Sequence, residues 1–169
     1  MRVSTRLSRP LRFLIAGAAL VLVGMSAWLV SLRTPQTDLP KVALQVGDAP
    51  HQIEVQLATT PAQIAKGLMF TRSLLPDQGM LFVFDGGDTK RCMWMKNTPI
   101  ALSIAFIAAD GRIREIMDAH ANSHSTLCVD GVQKALELNQ GWFKANGVHV
   151  GDLVEMAAQG DPRWLLVSR

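Results

Sequence analysis

The chain has 169 residues, 49% of them apolar, which is enough for one core of ordinary size plus a tail. The formal charge is +3, but Arg2, Arg6, Arg9, Arg12 and Arg33 all lie in the first 33 residues; taking those five from the 17 Lys and Arg leaves 12 against all 14 Asp and Glu, a net of −2 from Thr34 onward. Nucleic-acid binding is therefore not expected, because its footprint is a basic patch on the folded part itself.

Phe13 to Leu32 reads FLIAGAALVLVGMSAWLVSL, with no charged residue. As a helix this run reaches about 30 Å, the thickness of a bilayer's hydrocarbon core. Arg2, Arg6, Arg9 and Arg12 precede it, and the positive-inside rule keeps them in the cytoplasm while the rest crosses. Residues 1–33 are therefore expected to be an N-terminal signal anchor or signal peptide, one transmembrane or signal helix. A cleaved peptide has an apolar stretch of roughly 7 to 15 residues ending at small residues. Here Gly24 and Ser26 make a weak site, and Trp28, Leu29, Val30 and Leu32 carry the run past it. Retention as an anchor is the favoured reading. The domain is then held in the periplasm by the inner membrane, or exported there if the helix is cut. The membrane is thus the first expected partner. Residues 34–41, TPQTDLPK, read as a polar linker.

Residues 42–169 read as a single β-rich domain. VALQV, the turn GDAP and HQIEVQLA form a hairpin, with Ile53, Val55 and Leu57 alternating with Glu54 and Gln56. Thr60 can cap a short helix over Pro61 to Leu68, since proline fits the first helical position. GMLFVF is a short buried strand, DGGDTK a turn, and RCMWM a strand that ends at KNTP. IALSIAFI and RIREIM follow as strands joined by AADG. DAHANSHSTLCVDG reads as a polar loop, VQKALEL as a strand, and NQGWFKANG as a short helix with Gly147 at its C-terminal cap. DLVEM and RWLLV close the chain. The expected fold is mainly β, a compact β-sandwich or small barrel with two short helices.

The motifs GLMF (67–70), GMLFVF (79–84), CMWMKNTPIALSIAFI (92–107), ALELNQGWF (135–143) and GVHVGD (147–152) resemble the family called domain of unknown function 192. The resemblance covers nearly all of residues 41 to 157 and is carried most specifically by W-M-K-N-T. It implies a mostly β domain of sandwich type, often behind an export signal or anchor. It implies no biochemical activity. It also implies an aspartate at the position of Ser103, where this chain has none to offer for chemistry.

On a strand, Cys92, Trp94 and Lys96 share one face and Met93, Met95 and Asn97 the other. One reading packs the first or second set in the core. The other makes Trp94 the floor of a pocket with Lys96, Asn97 and Thr98 at its mouth. Lysine supplies a cation and asparagine both donors and acceptors, suited to a small-molecule, glycan or peptide ligand. Glu137 is the further candidate, with Lys96 as a possible ion-pair partner, structural or functional. Trp142 either covers the same region or belongs to the core. The leading expectation is a binding or accessory module of the cell envelope, with Trp94, Lys96, Asn97, Thr98 and Glu137 as its site. A second is an envelope enzyme acting on a glycan or peptide with Glu137 as acid or base. A third is metal handling through His120, His124 and Cys128, spaced H-x3-H-x3-C. That signal is weak, because residues four apart share a face only on a helix. No metal and no cofactor are expected, and G-x-S-x-G, H-E-x-x-H, C-x-x-C and a phosphate loop are all absent.

The chain has two cysteines, Cys92 and Cys128, both in the part placed outside the cytoplasm. An even count in an oxidising compartment points to a disulfide, two separate buried thiols being the other reading.

Overall fold

The computed structural model describes residues 33–47 and 51–157. The expected N-terminal helix, residues 48–50 of the GDAP turn and the expected strand RWLLV lie outside the described residues.

Alternating and continuous apolar runs set the strands. β1 (Lys41–Val46) pairs antiparallel with β2 (His51–Ala58), Leu44 opposite Ile53. Ile53 and Val55 are buried while Glu54 is exposed, as the alternation requires. Helix α1 (Pro61–Lys66) follows, two residues shorter than expected. Its capping box is complete: the Thr60 hydroxyl accepts from the Gln63 N–H, and the Gln63 side chain accepts from the Thr60 N–H. β3 (Gln78–Val83) then runs parallel to β2, the helix making the crossover.

β4 (Thr89–Trp94), β5 (Leu102–Ile107), β6 (Ile113–Ala119), β7 (Thr126–Val132) and β8 (Lys134–Asn139) follow. Helix α2 (Trp142–Ala145) and β9 (Val154–Met156) complete the order. At the end of α2 the Val148 N–H donates to the Phe143 carbonyl at 2.9 Å and the Gly147 N–H to the Lys144 carbonyl at 3.3 Å. Gly147 takes φ 67°, the left-handed stop foreseen at that position.

Seven strands form one sheet in the order β6-β5-β8-β3-β2-β1-β9. The sheet curls into a half-barrel. Its edges meet at one end, where Arg112 bridges to Leu153 and the Ile113 N–H donates to the Asp152 carbonyl at 2.9 Å. The fold is thus mainly β with two short helices, as expected. It is one sheet folded on itself with a separate two-stranded ribbon, β4 and β7, rather than two equal layers.

Inside the curl lie Leu44, Val55, Leu81, Leu136, Trp142 and Phe143 among others. On the outer face Met80, Phe82, Ile104 and Phe106 are covered by Leu68 after α1 and by Met93 and Val129 of the ribbon. β3 and β5 are covered on both faces, which is why GMLFVF and IALSIAFI read as unbroken apolar runs.

One expectation is corrected, and one open choice is decided. The segment DAHANSHSTLCVDG is not all loop: its second half is β7. Val129 and Val132 are buried there and Leu127 is half-buried, alternating with exposed Thr126, Cys128 and Asp130. Trp142 follows the core reading rather than covering the Glu137 region. It lies in the inner cluster, edge-on to Phe143 at 5.5 Å, with its indole N–H donating to Asp77 at 3.0 Å. Glu137 points to the opposite face.

Candidate functional site

The stretch CMWMKNTP leaves the ribbon at Trp94. Met93 and Met95 are buried and Cys92 and Trp94 are exposed, so the expected alternation holds this far. Asn97 breaks it. The Thr98 N–H donates to the Met95 carbonyl at 3.1 Å, closing a four-residue turn with Asn97 at its third position. Asn97 has φ 57°, which matches a type II turn, and asparagine tolerates that conformation. It is therefore a surface turn residue, not a partner of Met93 and Met95 on the core face.

Among the described residues, three that are not glycine have left-handed backbones: Phe70, Asn97 and Asn122. All three meet at this turn. The Phe70 N–H donates to the Asn97 carbonyl at 2.7 Å, and the Asn122 N–H donates to the Thr98 carbonyl at 2.9 Å. Each such residue costs on the order of 1 kcal/mol. Such strain persists where neighbours over-determine it, and it gathers at functional sites. Asn97→Gly is expected to leave stability within a few tenths of a kcal/mol, whereas Asn97→Ala loses about 1 kcal/mol, because only the backbone conformation matters there. Urea midpoints of the two variants check this.

The turn displays Trp94, 48% exposed, and Lys96, whose Nζ lies 5.4 Å from the centre of the Trp94 ring. Trp94 is thus an outward surface and not the floor of a deep pocket. Thr98 is buried at 4% exposure and holds the turn from below.

Glu137 lies beneath. It stands opposite Met80 on β3 and Ile104 on β5, in the middle of the apolar outer face, at 3% exposure. With Thr98, Met93, Trp94, Phe82 and residues of α1 it lines a cavity of about 20 Å³. That is room for one water molecule. Burial pushes the Glu137 carboxyl up to about 8, so it is mostly protonated at neutral pH. The expected Lys96 pairing does not form: among the described residues the one ion pair is Lys41 with Glu54, at 2.6 Å. Lys96 is exposed and turned to Trp94, because solvating the ammonium and stacking its stem is easier than burying it. Lys96 and Asn97 are not in the cavity wall. The structure therefore joins Trp94, Thr98 and Glu137 around the cavity and sets Lys96 and Asn97 on the surface above.

Ser103 is 1% exposed and donates to Asp118, directly opposite on β6, while accepting the Gly141 N–H at 2.8 Å. A carboxylate thus reaches this position from the neighbouring strand. His120 and His124 flank the turn before β7, where the Ser123 N–H donates to the His120 carbonyl at 3.2 Å. Among the described residues no group of three or more His, Cys, Asp and Glu is placed to hold a metal ion.

Cys92 and Cys128 lie opposite each other in the β4–β7 ladder at bonding distance, with Cα atoms 4.0 Å apart. That is just under the usual 4.4 Å lower limit. It approaches the roughly 4.5 Å spacing of directly opposed antiparallel residues.

A second concavity went unread in the sequence. A groove of about 270 Å³ is lined by Gln36, Lys41, Gln56, Arg72, Ser73 and Gln78 among others. Its wall includes the linker, where the Gln36 amide donates to the Gln63 and Gly67 carbonyls at 2.9 and 3.0 Å. These residues come from separate segments, so no local motif marks them.

Comparison with known proteins places this geometry. Among curated proteins none matches the chain significantly. Among solved structures, a proposed transcription regulator from Sinorhizobium meliloti 1021 is 38% identical, with a TM-score of 0.68; the match covers 73% of this chain and 99% of that one. A protein of unknown function from Novosphingobium aromaticivorans DSM 12444 is 33% identical, with a TM-score of 0.66, covering 72% of this chain and 89% of that one. The family model DUF192, described as an uncharacterized ACR, matches residues 42–156, the span that holds the half-barrel, the ribbon and the W-M-K-N-T turn, and the chain belongs to that family.

Proposed function

We propose that this chain is a binding module held at the cell envelope, which presents Trp94, Lys96 and Asn97 to a glycan or peptide ligand. The observation that carries this reading is the convergence of Phe70, Asn97 and Asn122, all left-handed, on the turn that displays those side chains. A rigid turn lowers the ordering cost of binding. The indole face suits a sugar ring or an apolar side chain, and the ammonium and amide suit a carboxylate or hydroxyl. Thr98 and protonated Glu137 support the turn from inside. The envelope location is supported by the apolar run of residues 13–32 and by the Cys92–Cys128 bond, since disulfides persist in oxidising compartments. Among the described residues no helix is long and apolar enough to cross a membrane; residues 13–32 lie outside them.

The enzyme reading has thinner support. Glu137 is the one carboxyl in the wall of a cavity that admits a single water, whereas glycoside hydrolysis usually needs two carboxyl groups. Metal handling through His120 and His124 loses its third ligand, because the Cys128 sulfur is bonded to Cys92. A regulator that binds DNA, as the Sinorhizobium description would imply, needs a basic face, and the chain carries a net −2 from Thr34 onward.

The test has two parts. Full-length chain is expected in the membrane fraction, and its recovery as soluble cytoplasmic protein ends the envelope reading. Purified protein is then melted with N-acetylglucosamine oligomers and with short peptides bearing a free carboxylate. One class is expected to raise the melting temperature, a ligand at 100 times its Kd contributing about 2.7 kcal/mol. Trp94→Ala and Lys96→Ala should abolish that shift while leaving the unliganded melt nearly unchanged. No shift from either class, or a shift the variants retain, rejects the site.

A further inference from the structure

Disulfides that serve only to hold a small domain together are commonly sealed in it. The Cys92–Cys128 bond is placed differently. Both cysteines are exposed, and both lie on the outer face of the β4–β7 ribbon. Their neighbours Met93 and Val129 point inward and pack on the main sheet. The ribbon is a sheet of two strands, not part of the seven-stranded one. Inward-facing Met93, together with Trp94 at the end of β4, forms part of the wall of the Glu137 cavity.

We propose that Cys92–Cys128 is a site of reversible thiol–disulfide exchange with an external dithiol, and that its cleavage loosens the β4–β7 ribbon over the Glu137 cavity. This does not depend on the ligand-binding reading. A thiolate of the dithiol attacks one exposed sulfur. The S–S bond breaks, a mixed disulfide forms, and the other cysteine leaves as a thiolate that takes up a proton. The dithiol's second thiolate then attacks its own sulfur in the mixed disulfide and releases the remaining cysteine. The protein gains two electrons and two protons, and the dithiol becomes a disulfide.

Three features favour this. Both cysteine residues are exposed, and exposed disulfides are the labile ones. The ladder that flanks the bond, Arg91 with Val129, Met93 with Leu127 and Trp94 with Thr126, opens more often after cleavage but re-forms in the same register and returns the cysteines to each other, so reoxidation is local. The seven-stranded sheet holds its own hydrogen bonds without the ribbon, so the rest of the domain has no need to open. A loosened ribbon opens to bulk solvent a carboxyl that the closed form buries at 3% exposure, and the ionised Glu137 then favours the open state.

The experiment uses the full chain, purified oxidised. It is treated with dithiothreitol without denaturant, trapped with iodoacetamide and followed by mass spectrometry and hydrogen exchange. Both cysteines are expected to become alkylated. Amides of residues 89–98 and 126–132 should exchange about tenfold faster while β3, β5 and β8 keep their protection. Removal of the reductant and addition of glutathione disulfide should restore the oxidised pattern. The Cys92→Ser, Cys128→Ser double variant should show the reduced pattern throughout. The proposal is overturned if the bond resists dithiothreitol until the domain unfolds, if ribbon exchange is unchanged on reduction, or if the double variant is globally unfolded.

Discussion

Glu137→Gln is expected to abolish most of the fall in stability that the domain suffers as pH rises from about 5 to 8. The carboxyl is buried among Met80, Ile104 and Phe82, and burial alone raises it from 4.5 to about 8. The folded state therefore binds a proton that the unfolded chain has released anywhere between those two values. Below about 4.5 both states are protonated and Glu137 makes no pH-dependent difference. As pH rises through the window, stability falls by up to ~1.4 kcal/mol per pH unit, and the loss levels off above the folded value. Several kcal/mol are at stake near pH 8, out of a domain's usual 5 to 15 kcal/mol. Glutamine has nearly the same shape and cannot ionise, so the variant should match the wild type near pH 4.5 and exceed it increasingly above pH 6. Urea midpoints of both proteins at half-unit steps from pH 4.5 to 9 measure this. Parallel curves would mean that the carboxyl is hydrated or paired in the folded protein.

Gly79→Ala is expected to be the most damaging single methyl group in the domain. Gly79 lies in β3 opposite Leu138, and an added Cβ would sit 2.0 Å from the Glu137 carbonyl oxygen and 2.7 Å from a Leu138 methyl. The first neighbour is backbone in the middle of the sheet, so it has no rotamer to change. β3 and β8 must separate, which breaks ladder hydrogen bonds between two strands covered on both faces. Overpacking of a core costs about 1 to 3 kcal/mol, and this site stands at or above the top of that range. The expected readout is a lower urea midpoint with an unchanged slope, or failure to accumulate as soluble protein. A variant that melts within 1 kcal/mol of the wild type would contradict the close approach of β3 to the Glu137 carbonyl.

Much of the fold is legible because local rules and the tertiary answer agree. Ile53 and Val55 alternate with polar residues, and β2 has one buried face. Thr60 and Pro61 spell a helix start before any contact is known, and the structure adds Gln63 to complete the capping box. Gly147 stops α2 because a glycine costs nothing in the left-handed form. Even the pairing of Cys92 with Cys128 is reachable, since two cysteines in an oxidising compartment leave one partner each.

β7 was hidden for the opposite reason. Its alternation is short, Leu127 and Val129 set among Ser, Thr, His and Asp, and its pairing partner β4 is more than thirty residues upstream. A strand of that kind is stabilised by its partner and by the sheet beneath it, not by its own composition. Phe70 gave no sign of a left-handed backbone, because aromatic residues rarely adopt one and the hydrogen bond that holds it runs from its own N–H to the distant Asn97 carbonyl.

Composition and periodicity alone settle the β-rich class, the helix caps, the apolar N-terminal run and the two-cysteine arithmetic, because each depends on residues close together in the chain. The solitude of Glu137 is different in kind. Nothing in ALELNQG says whether its carboxyl meets a lysine, water or a wall of methionines; that is set by which strands stand beside β8 and which way Lys96 turns. The charge state of a buried group is a property of its surroundings, and those are assembled from β3, β5, α1 and the ribbon only when the chain is folded.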